Sequence, residues 1–154
     1  ENAMRFTTVP NWQNQVHRAT GWNEAGVGFS GTKSIFAHDD ALKIDPYVED
    51  TGITEDDIPD VLLPVAKTAR EAVQLLGSIV ETKGAGEGFG VVLMDEKEVW
   101  YFETGTGHQW LAQRAPKNQY FASGNQGRLQ KYAPKSPDFL ASKTLVEFAV
   151  KNGF

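Results

Sequence analysis

The sequence predicts an α+β fold in which helices cover an antiparallel sheet. Apolar and polar residues alternate over residues 5–37, and alternation returns over residues 88–123 with short connections between the apolar runs. Between these regions and at the end of the chain, apolar residues recur at helical spacing. With 154 residues and no internal repeat or linker, we expect one structural unit.

The first region contains three segments rich in β-branched and aromatic residues, at positions 6–9, 27–30 and 34–36. We predict a short strand at each. Residues 21–26 carry two glycines and an asparagine, which is typical of a tight turn that re-enters a strand.

Residues 45–60 hold seven acidic side chains and no basic one, which raises the question of a calcium site. The acids lack the ligand register, central glycine and closing glutamate of an EF-hand loop. We therefore interpret Thr54 as the cap of a helix whose first turn is Glu55-Asp56-Asp57. Pro59 fits that first turn, and Pro64 predicts that the helix is short or kinked.

Thr68-Ala69-Arg70-Glu71 has the pattern of a capping box and predicts a second helix, which ends at Gly84. Four strands follow as an antiparallel meander, predicted at residues 89–94, 99–103, 109–114 and 119–123. Residues 139–150 predict a last helix, with a left-handed cap at Asn152-Gly153.

The composition excludes several classes of function. A formal charge of −5 and a pI near 5.2 have the wrong sign for nucleic-acid binding. No apolar run approaches the roughly 20 residues of a membrane span, and no secretory signal is present, so we expect a soluble, cytoplasmic chain. Without cysteine, these residues hold no disulfide, thiolate metal site or cysteine nucleophile.

The three histidines, His17, His38 and His108, lie far apart in sequence and lack the spacing of a metal site. We expect neither a metal nor another cofactor. His38 and His108 suit either a general base or an ordinary surface or strand-end histidine.

Two asparagines next to glycines, Asn23 and Asn125, are the remaining candidates for chemistry. A side-chain amide is a neutral donor that can stabilise an oxyanion, and neighbouring glycines let backbone N–H groups approach the same point. Asparagine and glycine are also the commonest turn residues, so the residues alone leave both interpretations open.

Longer motifs follow one another in order along nearly the whole chain. They include Asn23-Glu24-Ala25-Gly26, Ser136-Pro137-Asp138-Phe139 and residues 1–6, 21–30, 45–49, 52–57, 63–71, 98–103, 107–110 and 125–126. As an ordered set they resemble the central part of the bacterial dipeptidases of the cysteine-type N-terminal nucleophile hydrolase superfamily. The resemblance implies a four-layer αββα sandwich of two antiparallel sheets between helices.

The resemblance also implies hydrolysis of an amide bond in a small peptide. The family's nucleophile is a cysteine at the mature N-terminus, and its own α-amino group serves as the base. The superfamily's oxyanion donors map onto Asn23 and Asn125, and Arg128 is a candidate for binding the substrate or orienting the catalytic centre.

This chain departs from the family because it has no cysteine and begins at Glu1. We expect an internal piece of a longer enzyme, which needs the rest of its parent and has no peptidase activity alone. A homo-oligomer is left open.

Two alternatives also stay open. Trp12, Trp22, Trp100 and Trp110 could form a non-catalytic, aromatic-rich module that stacks on a ligand. Alternatively, the enzyme could act on a non-peptide amide, such as a conjugated bile acid or a penicillin.

Overall fold

A computed structural model describes residues 3–12, 17–33 and 35–154. These residues form an α+β fold, as predicted, with four helices and seven strands. The strands are β1 (Phe6–Pro10), β2 (Arg18–Asn23), β3 (Gly28–Lys33), β4 (Phe89–Met94), β5 (Val99–Thr104), β6 (Trp110–Arg114) and β7 (Phe139–Ala141). The helices are α1 (Asp39–Ile44), α2 (Ile58–Leu62), α3 (Ala69–Lys83) and α4 (Leu145–Asn152).

The strands form one antiparallel sheet in which the spatial order β1 to β7 is the order in sequence. Side chains alternate between the two faces, so the register assigns each residue to a face. One cross-strand row joins Phe29, Leu93 and Trp100, and these side chains lie in the core. The row three residues further along β3 joins Thr32, Gly90 and Glu103 and belongs to the opposite face.

Helix α3 covers the core face of the sheet. Thr68 Oγ1 accepts a hydrogen bond from the backbone N–H of Glu71 (3.1 Å), which confirms the predicted cap. The Glu71 carboxylate accepts from the backbone N–H of Lys67 (2.8 Å). The helix ends at Gly84, as predicted, where φ is +86°.

The core lies between α3 and the sheet. Leu76 and Val80 of α3 are fully buried against it, and Phe102 stacks on Trp110 with ring centroids 4.9 Å apart. Gly77 lies so close to the Trp110 indole that a side chain there would overlap the ring. Among the described residues, no helix is long and apolar enough to cross a membrane.

The opposite face of the sheet is covered in part by an irregular segment, residues 115–138. Phe121 of this segment packs on Tyr101 of β5 with ring centroids 4.8 Å apart. Residues 119–123 were predicted to form a strand, and this was wrong. The free edge of β6 pairs instead with β7, so residues 119–123 have no strand edge to join.

The predictions for the first strands were correct in part. Strands form at residues 6–10 and 28–33, but Ile35 and Phe36 lie outside any strand and Ser34 lies outside the described residues. The predicted turn at residues 21–26 starts too early, because β2 continues to Asn23 and pairs with both β1 and β3.

The prediction that Thr54 caps a helix was also wrong. Thr54 Oγ1 donates to the Asp57 carboxylate (2.6 Å), and residues 55–57 form a turn before α2 begins at Ile58. Pro59 lies in the first turn of α2, and the helix is short, as Pro64 predicted. Helix α1 was not predicted.

The final helix was predicted over residues 139–150, but α4 starts at Leu145 because residues 139–141 form β7. The Gln109 side chain accepts from Ser142 Oγ (2.8 Å) and Thr144 Oγ1 (3.1 Å), which fixes the connection between β7 and α4. The left-handed cap at Gly153 is confirmed, with φ at +76°.

Candidate functional site

Asn23 lies at the end of β2 and is only 2% exposed. Its amide nitrogen donates to the carbonyls of Leu63 (2.9 Å) and Ala66 (2.7 Å). Its amide oxygen accepts from the N–H groups of Ala25 (3.1 Å) and Val27 (2.9 Å). Both amide hydrogens are therefore used within the fold, and an oxyanion could bind Asn23 only if one of these bonds broke.

Asn125 lies in the irregular segment over the opposite face of the sheet and is exposed. Its amide oxygen accepts a hydrogen bond from Thr32 Oγ1 (2.6 Å) on β3. Among the described residues, no group accepts a hydrogen bond from its amide nitrogen. The Asn125 amide is thus held at its oxygen, and both of its N–H donors remain available to a ligand.

Arg128 lies three residues further along the same segment. Its backbone N–H and that of Leu129 donate to the Glu103 carboxylate, the latter at 3.2 and 3.3 Å from the two oxygens. The guanidinium faces Gln126, whose amide oxygen accepts from both terminal nitrogens at 2.9 and 3.0 Å once the amide is turned toward them. The structure therefore places the Arg128 cation in the segment that carries Asn125.

The face of the sheet beneath this segment is polar at its centre. Tyr101 and Glu103 of β5 are 2% and 8% exposed. The Tyr101 hydroxyl accepts from Ser123 Oγ (3.1 Å). Burial, with the nearby Glu103 charge, raises the pKa of Tyr101 to about 12, so its hydroxyl is neutral at pH 7.

A second polar cluster joins His108 and Thr106, in the loop between β5 and β6, to Asp45, which follows α1. The His108 Nδ1 lies 2.7 Å from the Asp45 carboxylate, which also accepts from Thr106 Oγ1 (2.5 Å) and the His108 N–H (2.8 Å). Burial opposes ionisation of Asp45, but these hydrogen bonds outweigh it and lower the pKa of the carboxyl. The cluster ties the loop after α1 to the β5–β6 hairpin.

The other two histidines lie on the surface. His17 faces Asp56 at 3.5 Å, and His38 accepts at Nδ1 from the Asp40 N–H (3.3 Å) at the start of α1. Over residues 3–12, 17–33 and 35–154, no group of three or more His, Cys, Asp or Glu side chains could hold a metal ion.

The four tryptophans divide into two pairs. Trp100 and Trp110 are 0% and 4% exposed and belong to the core, whereas Trp12 and Trp22 are 84% and 55% exposed. A ligand that stacks on tryptophan therefore has only the second pair available at the surface.

Sequence reasoning missed Thr32, Tyr101 and Glu103, which surround the Asn125 segment. One signal was present: Tyr101 and Glu103 alternate with the apolar Trp100 and Phe102, which indicates a strand with a second, polar face. Nothing local in the sequence linked that face to Thr32.

Comparison with known proteins identifies the family of this chain. The sequence profile of peptidase family C69 matches residues 1–154. The chain is 53% identical to the "Probable dipeptidase" of Salmonella dublin over 99% of its length, which is 36% of that relative. It is 35% identical to the "Probable dipeptidase B" of Lactococcus lactis subsp. lactis (strain IL1403), over 99% of this chain and 32% of the relative.

A third relative, the "Probable dipeptidase" of Latilactobacillus sakei, is 36% identical over 99% of this chain and 33% of its own length. The chain thus spans about a third of the curated relatives it matches. Because the profile covers every residue, the chain belongs to peptidase family C69.

Proposed function

We propose that this chain is the part of a dipeptidase that binds the oxyanion formed during hydrolysis of a small peptide. The observation that carries the proposal is the Asn125 amide, whose oxygen is held by Thr32 while its N–H donors stay available. Family membership and the relatives' dipeptidase names support it.

In the proposed reaction, a cysteine thiolate outside these 154 residues attacks the carbonyl carbon of the peptide bond. The carbonyl π electrons move to oxygen, and the resulting oxyanion accepts a hydrogen bond from Asn125 Nδ2. The cysteine's own α-amino group takes the thiol proton, and collapse of the intermediate breaks the C–N bond while the leaving amine takes that proton. Water then attacks the resulting thioester, gives a proton to the α-amino group and releases the carboxylic acid, and the thiolate leaves as the thiol by taking the proton back. Arg128 is proposed to bind the substrate carboxylate with the guanidinium N–H groups that it does not donate to Gln126.

We further propose that the rest of the parent enzyme supplies a second antiparallel sheet over the face that carries Tyr101 and Glu103. Both side chains are polar and already largely shielded from water, and Asn125 would then lie between two sheets. This arrangement is the αββα sandwich that the sequence resemblance implies. For Asn23, the four backbone hydrogen bonds favour a structural role.

The test replaces Asn125 with alanine in the protein expressed from its whole coding sequence. We expect kcat for unblocked dipeptides to fall by about 10²–10³-fold, because one oxyanion donor is lost, with KM nearly unchanged. Asn118→Ala, which changes another exposed asparagine in the same irregular segment, is the matched control. A kcat for Asn125→Ala within about threefold of wild type would contradict the proposed role.

The same assays separate the substrate classes. A glycine-conjugated bile acid and a penicillin each carry a free carboxylate but lack the free α-amino end of a dipeptide. Faster hydrolysis of either compound than of the dipeptides would favour the non-peptide amidase. The 154-residue chain alone is expected to hydrolyse none of them, because it has no cysteine.

A further inference from the structure

The segment that carries Asn125 crosses the polar face of the sheet from β3 to β5. Its two attachment points, Thr32 and Glu103, lie in one cross-strand row with Gly90 between them. Neighbouring strands lie about 4.8 Å apart, so the two attachment points are about 10 Å from each other.

Two glycines lie along this crossing, Gly90 on the sheet and Gly127 in the segment. A side chain at Gly90 would collide with the Tyr101 hydroxyl and with Ile35. Gly127 lies above Glu103, since a Cβ there would be 3.8 Å from one carboxylate oxygen and 3.9 Å from the other. The segment therefore passes close to Glu103 at Gly127.

Thr32 acts on the side chain of Asn125. Its hydroxyl donates to the amide oxygen at 2.6 Å, which decides which end of the planar amide faces the sheet. The nitrogen is at the end of the amide that does not contact Thr32. A hydrogen bond accepted at the oxygen also polarises the amide and strengthens its N–H groups as donors. Because threonine is β-branched and lies in a strand, its hydroxyl has few alternative positions.

Glu103 acts on the backbone of the same segment. Its side chain is 8% exposed, and among the described residues it forms no salt bridge. A buried carboxylate is costly unless hydrogen bonds compensate, and here the N–H groups of Arg128 and Leu129 do so. Moving the segment would leave this carboxylate without those donors, so Glu103 resists displacement of the backbone.

We infer that Thr32 and Glu103 are positioning residues that hold the Asn125 amide for oxyanion binding. Thr32 orients the amide, and Glu103 fixes the backbone that carries it. The inference rests on the proposed oxyanion role of Asn125.

The kinetic test uses Thr32→Val, which removes the hydroxyl and keeps the shape, in the protein expressed from its whole coding sequence. We expect kcat for dipeptides to fall about 10–100-fold with KM within about threefold, less than the loss for Asn125→Ala. Thr32→Ser restores the hydroxyl and should return kcat to within about threefold of wild type. A wild-type kcat for Thr32→Val, or a Thr32→Ser variant as slow as Thr32→Val, overturns the role of Thr32.

The matched control is Ser30→Ala, on the same face of β3 two residues earlier. Among the described residues, its hydroxyl has no hydrogen-bond partner, and Ser30 pairs with Val92 rather than with Gly90. Its kcat is expected to equal that of wild type. A loss in Ser30→Ala as large as that in Thr32→Val would overturn the inference, because the effect would then belong to the strand and not to the hydroxyl.

The second test needs no activity and uses the protein expressed from its whole coding sequence. In Glu103→Gln and Glu103→Ala, amide hydrogen exchange at Arg128 and Leu129 should speed up about tenfold or more, with Leu93 in β4 as the unchanged reference. Unchanged exchange at Arg128 and Leu129 in both variants overturns the role of Glu103. In Thr32→Val the Asn125 side-chain amide resonances should shift, and in Thr32→Ser they should return.

These measurements distinguish a failure of the proposed function from a failure of the positioning inference. If the whole protein hydrolyses no amide but exchange and amide shifts change as expected, the proposed function fails and the positioning geometry stands. If the enzyme is active and Asn125→Ala is slow, but the Thr32 and Glu103 variants behave as wild type in every assay, the positioning inference fails and the proposed function stands.

Discussion

Replacing Asn23 with alanine removes a side chain that satisfies four backbone groups at once. The variant leaves the carbonyls of Leu63 and Ala66 and the N–H groups of Ala25 and Val27 without their partner. Each buried group left unsatisfied costs about 1–3 kcal/mol, although water reaches the exposed Ala25. Counting the other three groups at the low end of that range, we expect a loss of about 3 kcal/mol in the free energy of unfolding.

The assay is urea unfolding followed by the fluorescence of the buried Trp100 and Trp110, with Asn118→Ala as the exposed control. A loss of about 3 kcal/mol is a large part of the 5–15 kcal/mol that stabilises a typical domain, so the midpoint should move clearly. If Asn23→Ala unfolds within about 0.5 kcal/mol of wild type, the structural role assigned to Asn23 is refuted.

Two further predictions concern stability. Hydrogen bonds from the Arg70 guanidinium, aided by Arg114, lower the pKa of Glu98 from 4.5 to about 2. This stabilisation is complete above pH 4.5 and is lost as the pH falls toward 2. Glu98→Gln should therefore lower the free energy of unfolding by about 2 kcal/mol at pH 7 and make it depend less on pH in acid. Identical acid unfolding curves for variant and wild type would refute this. Gly77→Ala places a methyl group where the Trp110 ring lies. It should lower the free energy of unfolding by about 2 kcal/mol, which is about 6 °C in Tm, measured by circular dichroism. An unchanged Tm would contradict the close packing.

Local signals predicted the parts of the fold that local physics decides. Helix α3 was predictable because Thr68 accepts from an N–H in the first turn, which has no acceptor within the helix, and Gly84 adopts the positive φ that ends the helix. Residues 119–123 and 139–141 both suit a strand, and only competition for the edge of β6 decides between them. That competition involves residues about 30 positions apart, so no sequence window contains it.

In the candidate site, too, some residues could be predicted from local sequence and others could not. Asn125 stood out because it lies beside a glycine, but Thr32 and Glu103 lie 93 and 25 or 26 residues from the groups they bind. Their roles depend on the register that places them in one row of the sheet. Arg128 was chosen for its side chain, whereas the contact with Glu103 that the structure contains is made by its backbone N–H.

Both asparagines were candidate oxyanion donors in the sequence, and the structure gives a physical reason to separate them. An amide can stabilise an oxyanion only with a hydrogen that is not already donated, and Asn23 gives both to Leu63 and Ala66 while Asn125 gives neither to a described residue. The two alanine variants should therefore differ in which property they lose, stability or catalysis. Asn23→Ala should lower the free energy of unfolding more than it lowers kcat per folded molecule, whereas Asn125→Ala, exposed and held by one hydrogen bond, should lower kcat and leave unfolding nearly unchanged. If Asn23→Ala instead lost kcat at full stability, Asn23 would be an oxyanion donor that exchanges a carbonyl partner for the substrate.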